Sequence, residues 1–284
     1  MSGNVELIET LKEVKVFRDS DGNATGRKGT VCSRFSNGPR QWVEKKWVSG
    51  DWVFPGDYEC RVEKYVYENA DALGLPVPRL LDSNDEERTL HMEYIPGASI
   101  SWPCEDRVLL NQVLSFFDVF KEMVFAPAVT LFKMDGERIH KYRLDQLQYI
   151  YPDASIWRKL DSIYESFLRG IPYSSIPFDR ILKNTLLWQG TLYFFDFEWT
   201  IAGPYEFTLA RAAVEFNQYD SPEIISRVTD MGLYHLFLLR FYMYGEEPEH
   251  VYRYLRANLQ NSRLCEMFDI INAEDYADKP WFQN

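Results

Sequence analysis

The sequence predicts an α+β protein: a small antiparallel β part carrying one helix, followed by a larger, mainly helical part. Three observations predict it. Residues 8–48 read as short runs that alternate apolar and polar residues, broken by turns rich in Gly, Asn and Asp. Residues 57–74, and most of the chain after Asp106, instead repeat apolar residues at helical spacing. Within that helical part Leu186-Leu187-Trp188 and Thr191 to Phe195 flank Gln189-Gly190, the signature of two strands joined by a tight turn. Strands gathered first and helices afterwards are the mark of the α+β class.

Composition narrows the partners. At 284 residues the chain is long enough for one large domain or two lobes of ordinary size. Lys and Arg number 31 against 43 acids, a net charge of −12, which excludes a general nucleic-acid binder because such a protein needs a basic stripe to displace counterions. The same charge suits solubility and a cationic substrate. Cys32, Cys60, Cys104 and Cys265 form no Cys-x-x-Cys pair and read as reduced thiols, which points to a cytoplasmic protein. His91, His140, His235 and His250 are scattered without a zinc signature. The N-terminus lacks the pattern of a signal peptide. The longest apolar run, Leu233 to Tyr244, contains His235 and Arg240, is too short to span a bilayer and reads as a buried helix.

In order along the chain, Val14 to Phe17 predicts a strand, Asp19 to Asn23 a turn, Thr30 to Phe35 a second strand, Ser36 to Pro39 a second turn and Gln41 to Val48 a third strand. Gly22, Gly26 and Gly29 predict a flexible hairpin tip able to lay N–H groups on phosphates. Strand alternation lets only one of Lys45 and Lys46 point inward. Asp57 is placed to cap a helix whose apolar face is Val62, Tyr65, Val66, Ala70 and Leu73, with Gly74 as its stop. Pro76 and Pro78 force an extended path, and strand signals follow at Arg79 to Leu81 and, after a polar turn at Ser83 to Glu87, at Thr89 to Gly97. Helices are predicted over Val108 to Val124, Leu144 to Tyr151, Ile156 to Leu168 and much of the chain after Glu206, with a loosely held tail from Asp275 to Asn284.

The chemistry-bearing residues gather around the hairpin at 186–195. Asp179 and Asn184 precede it and Asp196 follows it, so its return brings the three towards one another. Phosphoryl transfer needs such a set: one carboxylate to orient a hydroxyl and take its proton, and an amide with a second carboxylate to hold magnesium on nucleotide phosphates.

Asp179-x4-Asn184 followed by Phe195-Asp196-Phe197-Glu198 resembles the catalytic loop and metal-binding segment of the protein-kinase-like superfamily. The resemblance is to the aminoglycoside phosphotransferase branch and other small-molecule and glycan kinases, and Gly74-Leu75-Pro76-Val77-Pro78 is similar to that branch's Gly-x-Pro-x-Pro turn. It implies a two-lobed kinase-like fold, with residues 1–97 as a nucleotide-binding lobe with its hinge and 98–284 as a helical catalytic and substrate lobe. It implies ATP, or GTP, with Mg²⁺, and a hydroxyl on a small molecule or carbohydrate as acceptor. Lys45 is then the phosphate lysine, two residues after an apolar one, with Lys46 as the alternative. Glu63 is its glutamate partner, with Glu59 as the alternative. The main chain of Tyr94 and Ile95 receives the nucleobase, Asn184 and Asp196 hold the metal, Glu198 helps hold its water, and Asp179 serves the acceptor hydroxyl. The chain departs from the family pattern where Pro177-Phe178-Asp179 replaces His-Gly-Asp, where Ile181 stands for a lysine otherwise two residues after the aspartate, with Lys183 two further on, and where Glu206 or nothing replaces the aspartate that braces the loop. These departures keep open a pseudokinase that binds nucleotide or a partner and transfers nothing.

Overall fold

The computed structural model describes residues 5–12, 15–18, 24–49, 58–123, 154–177, 179–243 and 248–273. The strands are β1 (Glu6–Lys12), β2 (Lys15–Arg18), β3 (Ala24–Asn37), β4 (Arg40–Ser49), β5 (Leu80–Asn84), β6 (Thr89–Glu93), β7 (Ala98–Ser99), β8 (Ser174–Pro177), β9 (Thr185–Trp188), β10 (Thr191–Phe194) and β11 (Thr200–Gly203). The helices are α1 (Tyr58–Leu73), α2 (Arg107–Phe120), α3 (Ala154–Leu168), α4 (Tyr205–Phe216), α5 (Pro222–Ile225), α6 (Met231–Met243), α7 (Pro248–Asn258) and α8 (Ser262–Ala273). The chain is thus α+β, with strands first and helices after. It divides into two compact units, residues 1–99 with 184–200, and residues 100–183 with 201–284.

The first unit is built on an antiparallel sheet of order β1-β3-β4-β6-β5, with β2 paired to β3. Pleat alternation sorts β4: Lys45 and Trp47 are buried, while Lys46 and Val48 are exposed. The register sets Lys45 opposite Cys32 on β3 and Leu90 on β6, and Val43 opposite Arg34 and Met92. Strand β3 is longer than the sequence suggests. It takes in Gly26, paired with Phe17, and Gly29, paired with Ser49, so these two glycines lie in ladders and not in a tip. Helix α1 buries Val62, Glu63, Val66 and Ala70. It ends in a Schellman turn, with Gly74 at φ +66° and the Leu75 N–H donating to the Ala70 carbonyl at 3.0 Å.

The β9–β10 hairpin belongs to the same unit. Thr185 pairs with Phe194, and Gln189 and Gly190 both have positive φ, 50° and 81°, the turn that matches strand twist. Strand β7 adds to β9, with Ala98 opposite Leu187.

In the second unit Asp106 caps α2, its carboxylate accepting from Val108 N at 2.7 Å and Leu109 N at 3.2 Å. The helix ends at Phe120, short of the expected Val124. The core is α4 and α6: from Glu206 to Phe216 and from Leu233 to Met243 every residue is buried. The arginines in that core lie on aromatic faces, Arg240 5.2 Å from the Phe207 ring and Arg211 4.1 Å from the Phe241 ring. No helix among the described residues is long and apolar enough to cross a membrane. The turn at 19–23, the Asp57 cap, the helix at 144–151 and the tail at 275–284 fall outside the described residues.

Candidate functional site

Helix α1 and strand β4 set a buried ion pair. Lys45 Nζ lies 2.5 Å from Glu63 Oε2, with side chains 3% and 0% exposed. The same ammonium lies 2.5 Å from Asp196 Oδ1 and 3.2 Å from Glu198 Oε2. Asp196 gets there because the hairpin closes at its base: Phe195 N–H donates to the Asn184 carbonyl at 3.1 Å and Phe194 N–H to that of Pro76 at 2.9 Å. Asp196 itself takes the left-handed conformation at φ 63°, ψ 59°, which turns the chain into the 3₁₀ turn Phe197–Trp199. That turn is fastened to α1 by Phe197, edge-on to Tyr67 at 5.6 Å, and by Tyr58 Oη donating to the Thr200 carbonyl at 3.0 Å.

The electrostatics follow from the count: one ammonium faces three carboxylates. Burial alone would lower the Lys45 pKa, but Asp196, Glu198 and Glu63 overcome it and hold the group well above its ordinary value. Burial pushes the Glu63 carboxyl up from its ordinary value and Asp196 and Glu198 add to that, while Lys45 pulls it the other way. Oxygen atoms of Glu63, Asp196 and Glu198 lie within 4.8 Å of one another. Hard oxygen donors carrying more negative charge than the ammonium balances fit a hard divalent cation such as Mg²⁺. Asn184 is buried at the hairpin base, where its main-chain carbonyl accepts from Phe195 N.

Tyr94 and Ile95 follow directly on β6, which stops at Glu93, so their main-chain groups lie beyond its ladder. Ile95 is buried, and the Tyr94 ring carries the Arg34 guanidinium at 3.8 Å. Lys46 points away from this cluster, and Glu59 is not among the carboxylates around Lys45.

Asp179 lies in the second unit. Its Oδ1 accepts from Arg180 N at 2.7 Å, and Lys183 Nζ stands 3.5 Å from its Oδ2. The Arg180 guanidinium lies 4.9 Å from the Trp102 ring. The loop after Asp179 is braced from α4 by Glu215, whose carboxylate accepts from Ile181 N at 2.9 Å and Leu182 N at 2.7 Å. Glu206 does not serve there; its carboxylate accepts from Thr229 Oγ1 at 2.5 Å and from the Thr229 and Asp230 N–H groups. Sequence reasoning missed Glu215. The signal was an acid inside Ala212-Ala213-Val214-Glu215-Phe216, since a carboxylate in an apolar helix must find donors.

No family model matches the sequence, and no curated protein matches it significantly. Among solved structures, the choline kinase LicA of Streptococcus pneumoniae is 15% identical, with a TM-score of 0.52 over 94% of this chain and 93% of that one. An ethanolamine kinase of Plasmodium vivax gives 0.54 at 10% identity, over 95% and 83%. The aminoglycoside phosphotransferase APH(2'')-Ib, solved with ADP, gives 0.54 at 12% identity, over 93% and 94%. The chain therefore has the protein-kinase-like fold in the form shared by choline and ethanolamine kinases and aminoglycoside phosphotransferases.

Proposed function

We propose that this protein is an ATP-dependent phosphotransferase that moves the γ-phosphate to a hydroxyl of a small molecule or carbohydrate, with GTP as a possible donor. The observation that carries the reading is the Lys45 ammonium, buried and bound at 2.5 Å by both Glu63 and Asp196. Glu63 fixes Lys45, which binds the nucleotide phosphates. Tyr94 and Ile95 present main-chain groups to the nucleobase, as the hinge of a 1–97 nucleotide lobe. Asn184 and Asp196, with Glu198, would hold Mg²⁺. Bound there, Mg²⁺ supplies positive charge that offsets what builds up on the transferring phosphoryl group. Asp179, on the 98–284 lobe, orients the acceptor hydroxyl and takes its proton late. An exposed carboxylate is a weak base, so its contribution is mostly positioning.

Support comes from the fold shared with choline, ethanolamine and aminoglycoside kinases, whose acceptors carry hydroxyls beside cationic nitrogen. The net charge of −12 fits an acceptor of that kind. A cytoplasmic location fits four cysteines that form no disulfide among the described residues.

The test is thermal unfolding with and without MgATP or MgGTP, on the wild type and on Asp196→Ala, followed by a phosphate-transfer screen over choline, ethanolamine and aminoglycosides. Ligand at about 100 times its dissociation constant adds about 2.7 kcal/mol. A magnesium-dependent rise in Tm that Asp196→Ala abolishes is expected. Binding without transfer to any hydroxyl would make the chain a nucleotide-binding pseudokinase, and no shift with either nucleotide would sink the nucleotide reading altogether.

A further inference from the structure

We propose a second small-molecule site in the first unit, on the end of the sheet where the β3–β4 turn meets the segment after β6, and we assign it a phosphate ester as ligand. A cavity of about 450 Å³ opens there, lined by Arg34, Arg40, Gln41, Arg79, Glu93 and Tyr94 among others. That volume is within the range of small-ligand pockets. Three guanidinium groups line one cavity in a chain whose net charge is −12.

The three arginines play different parts. Arg34 is pre-set: Nη1 donates to Glu9 at 2.9 Å, Nη2 to Gln41 at 2.7 Å, and its plane lies on the Tyr94 ring at 3.8 Å. Its Nε–H is buried and makes no hydrogen bond among the described residues. A buried donor without an acceptor is a cost that a ligand oxygen removes. Glu9 balances the Arg34 charge. Arg40 and Arg79 make no ion pair among the described residues, and Glu93 is the one acid among the lining residues of this cavity. Two uncommitted planar forks suit the bidentate recognition of phosphate oxygens. Glu93, acceptor-only when ionised, suits a hydroxyl on the same ligand.

The site is separate from the Lys45 cluster. Neither Lys45, Glu63, Asp196 nor Glu198 lines it. It shares Tyr94 with the proposed nucleobase hinge, so occupancy would bear on nucleotide binding, but the site itself does not depend on the kinase reading.

Isothermal titration with inorganic phosphate and with glucose 6-phosphate tests it, with glucose and malonate as controls. The proteins are the wild type, Arg40→Ala/Arg79→Ala, whose side chains are exposed so that the fold is kept, and Lys45→Met. Binding by a phosphate probe is expected. It should weaken about tenfold or more in the double variant, since charge-assisted hydrogen bonds are lost, and persist in Lys45→Met. Three outcomes overturn the proposal: no binding of either phosphate probe at roughly 10 mM ligand, binding unchanged in the double variant, or glucose or malonate binding equally well. Loss in Lys45→Met with retention in the double variant would assign the phosphate to the nucleotide site instead.

Discussion

Lys45 and Glu63 meet at 2.5 Å with almost no exposure of either side chain, and Asp196 binds the same ammonium at 2.5 Å. Removing one partner of a buried pair leaves the other charge uncompensated, at a cost of about 3–5 kcal/mol. Lys45→Met is expected to lower stability in urea by that order. Glu63→Gln should cost less, because Asp196 and Glu198 remain. In the double variant the two effects should be non-additive by about 1 kcal/mol or more. Strict additivity would show that the pair is not coupled.

The brace from Glu215 makes a second prediction. Its two oxygens satisfy the N–H groups of Ile181 and Leu182, both buried residues. Glu215→Ala orphans both donors, at about 1–3 kcal/mol each. Glu215→Gln keeps one acceptor and should recover roughly half. If phosphotransfer is measured alongside, kcat should fall more than KM for nucleotide rises, because the loop carries Asp179 and not the Lys45 cluster.

Asp118 gives the pH dependence. Burial would raise its pKa, but hydrogen bonds from Arg227 and Tyr205, at 2.8 Å each, and the charges of Arg227 and Lys121 outweigh it and hold the carboxyl below its ordinary value. The unfolded chain therefore takes the proton first. The stabilisation is complete above about pH 4, the unfolded value, and is lost as pH falls through the folded value. With the side chain a third exposed, solvent screening reduces it, and Asp118→Asn should cost about 1 kcal/mol at pH 7. The gap to wild type should close in urea titrations as pH falls from about 4 through the folded value. A gap that widens there would refute the assignment.

Two glycines separate space from backbone. A Cβ on Gly97 would lie 2.8 Å from the Leu186 Cβ and 3.0 Å from the Leu187 carbonyl oxygen. Gly97→Ala should therefore push β9 from its place and cost about 1–3 kcal/mol. Gly38 has open space but φ +62°, so Gly38→Ala should cost only the left-handed penalty, about 1–2 kcal/mol. Gln189 sits at φ 50° in the hairpin turn, where Asn is favoured, and Gln189→Asn should raise stability by about 0.5 kcal/mol. Urea midpoints at constant m-value measure all three.

What the sequence disclosed was local. The period of α1 and its Gly74 stop, the turn at Gln189-Gly190 and the alternation that admits one of Lys45 and Lys46 are properties of neighbours. Which lysine is buried is a matter of register, fixed by Leu90 and Cys32 across the sheet. Non-local pairing escaped the reading. Gly26 and Gly29 look like a loop, yet partners on β2 and β4 hold them in strand. Glu206 and Glu215 sit on one helix and serve different loops, and only their donors, Thr229 in one case and Leu182 in the other, tell them apart. The cavity beside Arg34 has no sequence signature, since Arg34, Arg40, Arg79 and Glu93 come from four separate strands or strand ends.

The first compact unit is discontinuous along the chain, residues 1–99 with 184–200. During synthesis its sheet can pair as soon as Glu93 has emerged, but Lys45 then lies among buried surroundings with only Glu63 for a counter-charge. Asp196, Glu198 and the strands that cover Gly97 arrive about 100 residues later, at ribosomal rates a delay of roughly 5–20 s. A nascent chain released at Ser99 would lack the partners of Tyr58, Tyr67 and Ala98 and should be captured by chaperones. The ion cluster is in this sense a checkpoint on translation: it becomes complete only once residue 200 has left the ribosome.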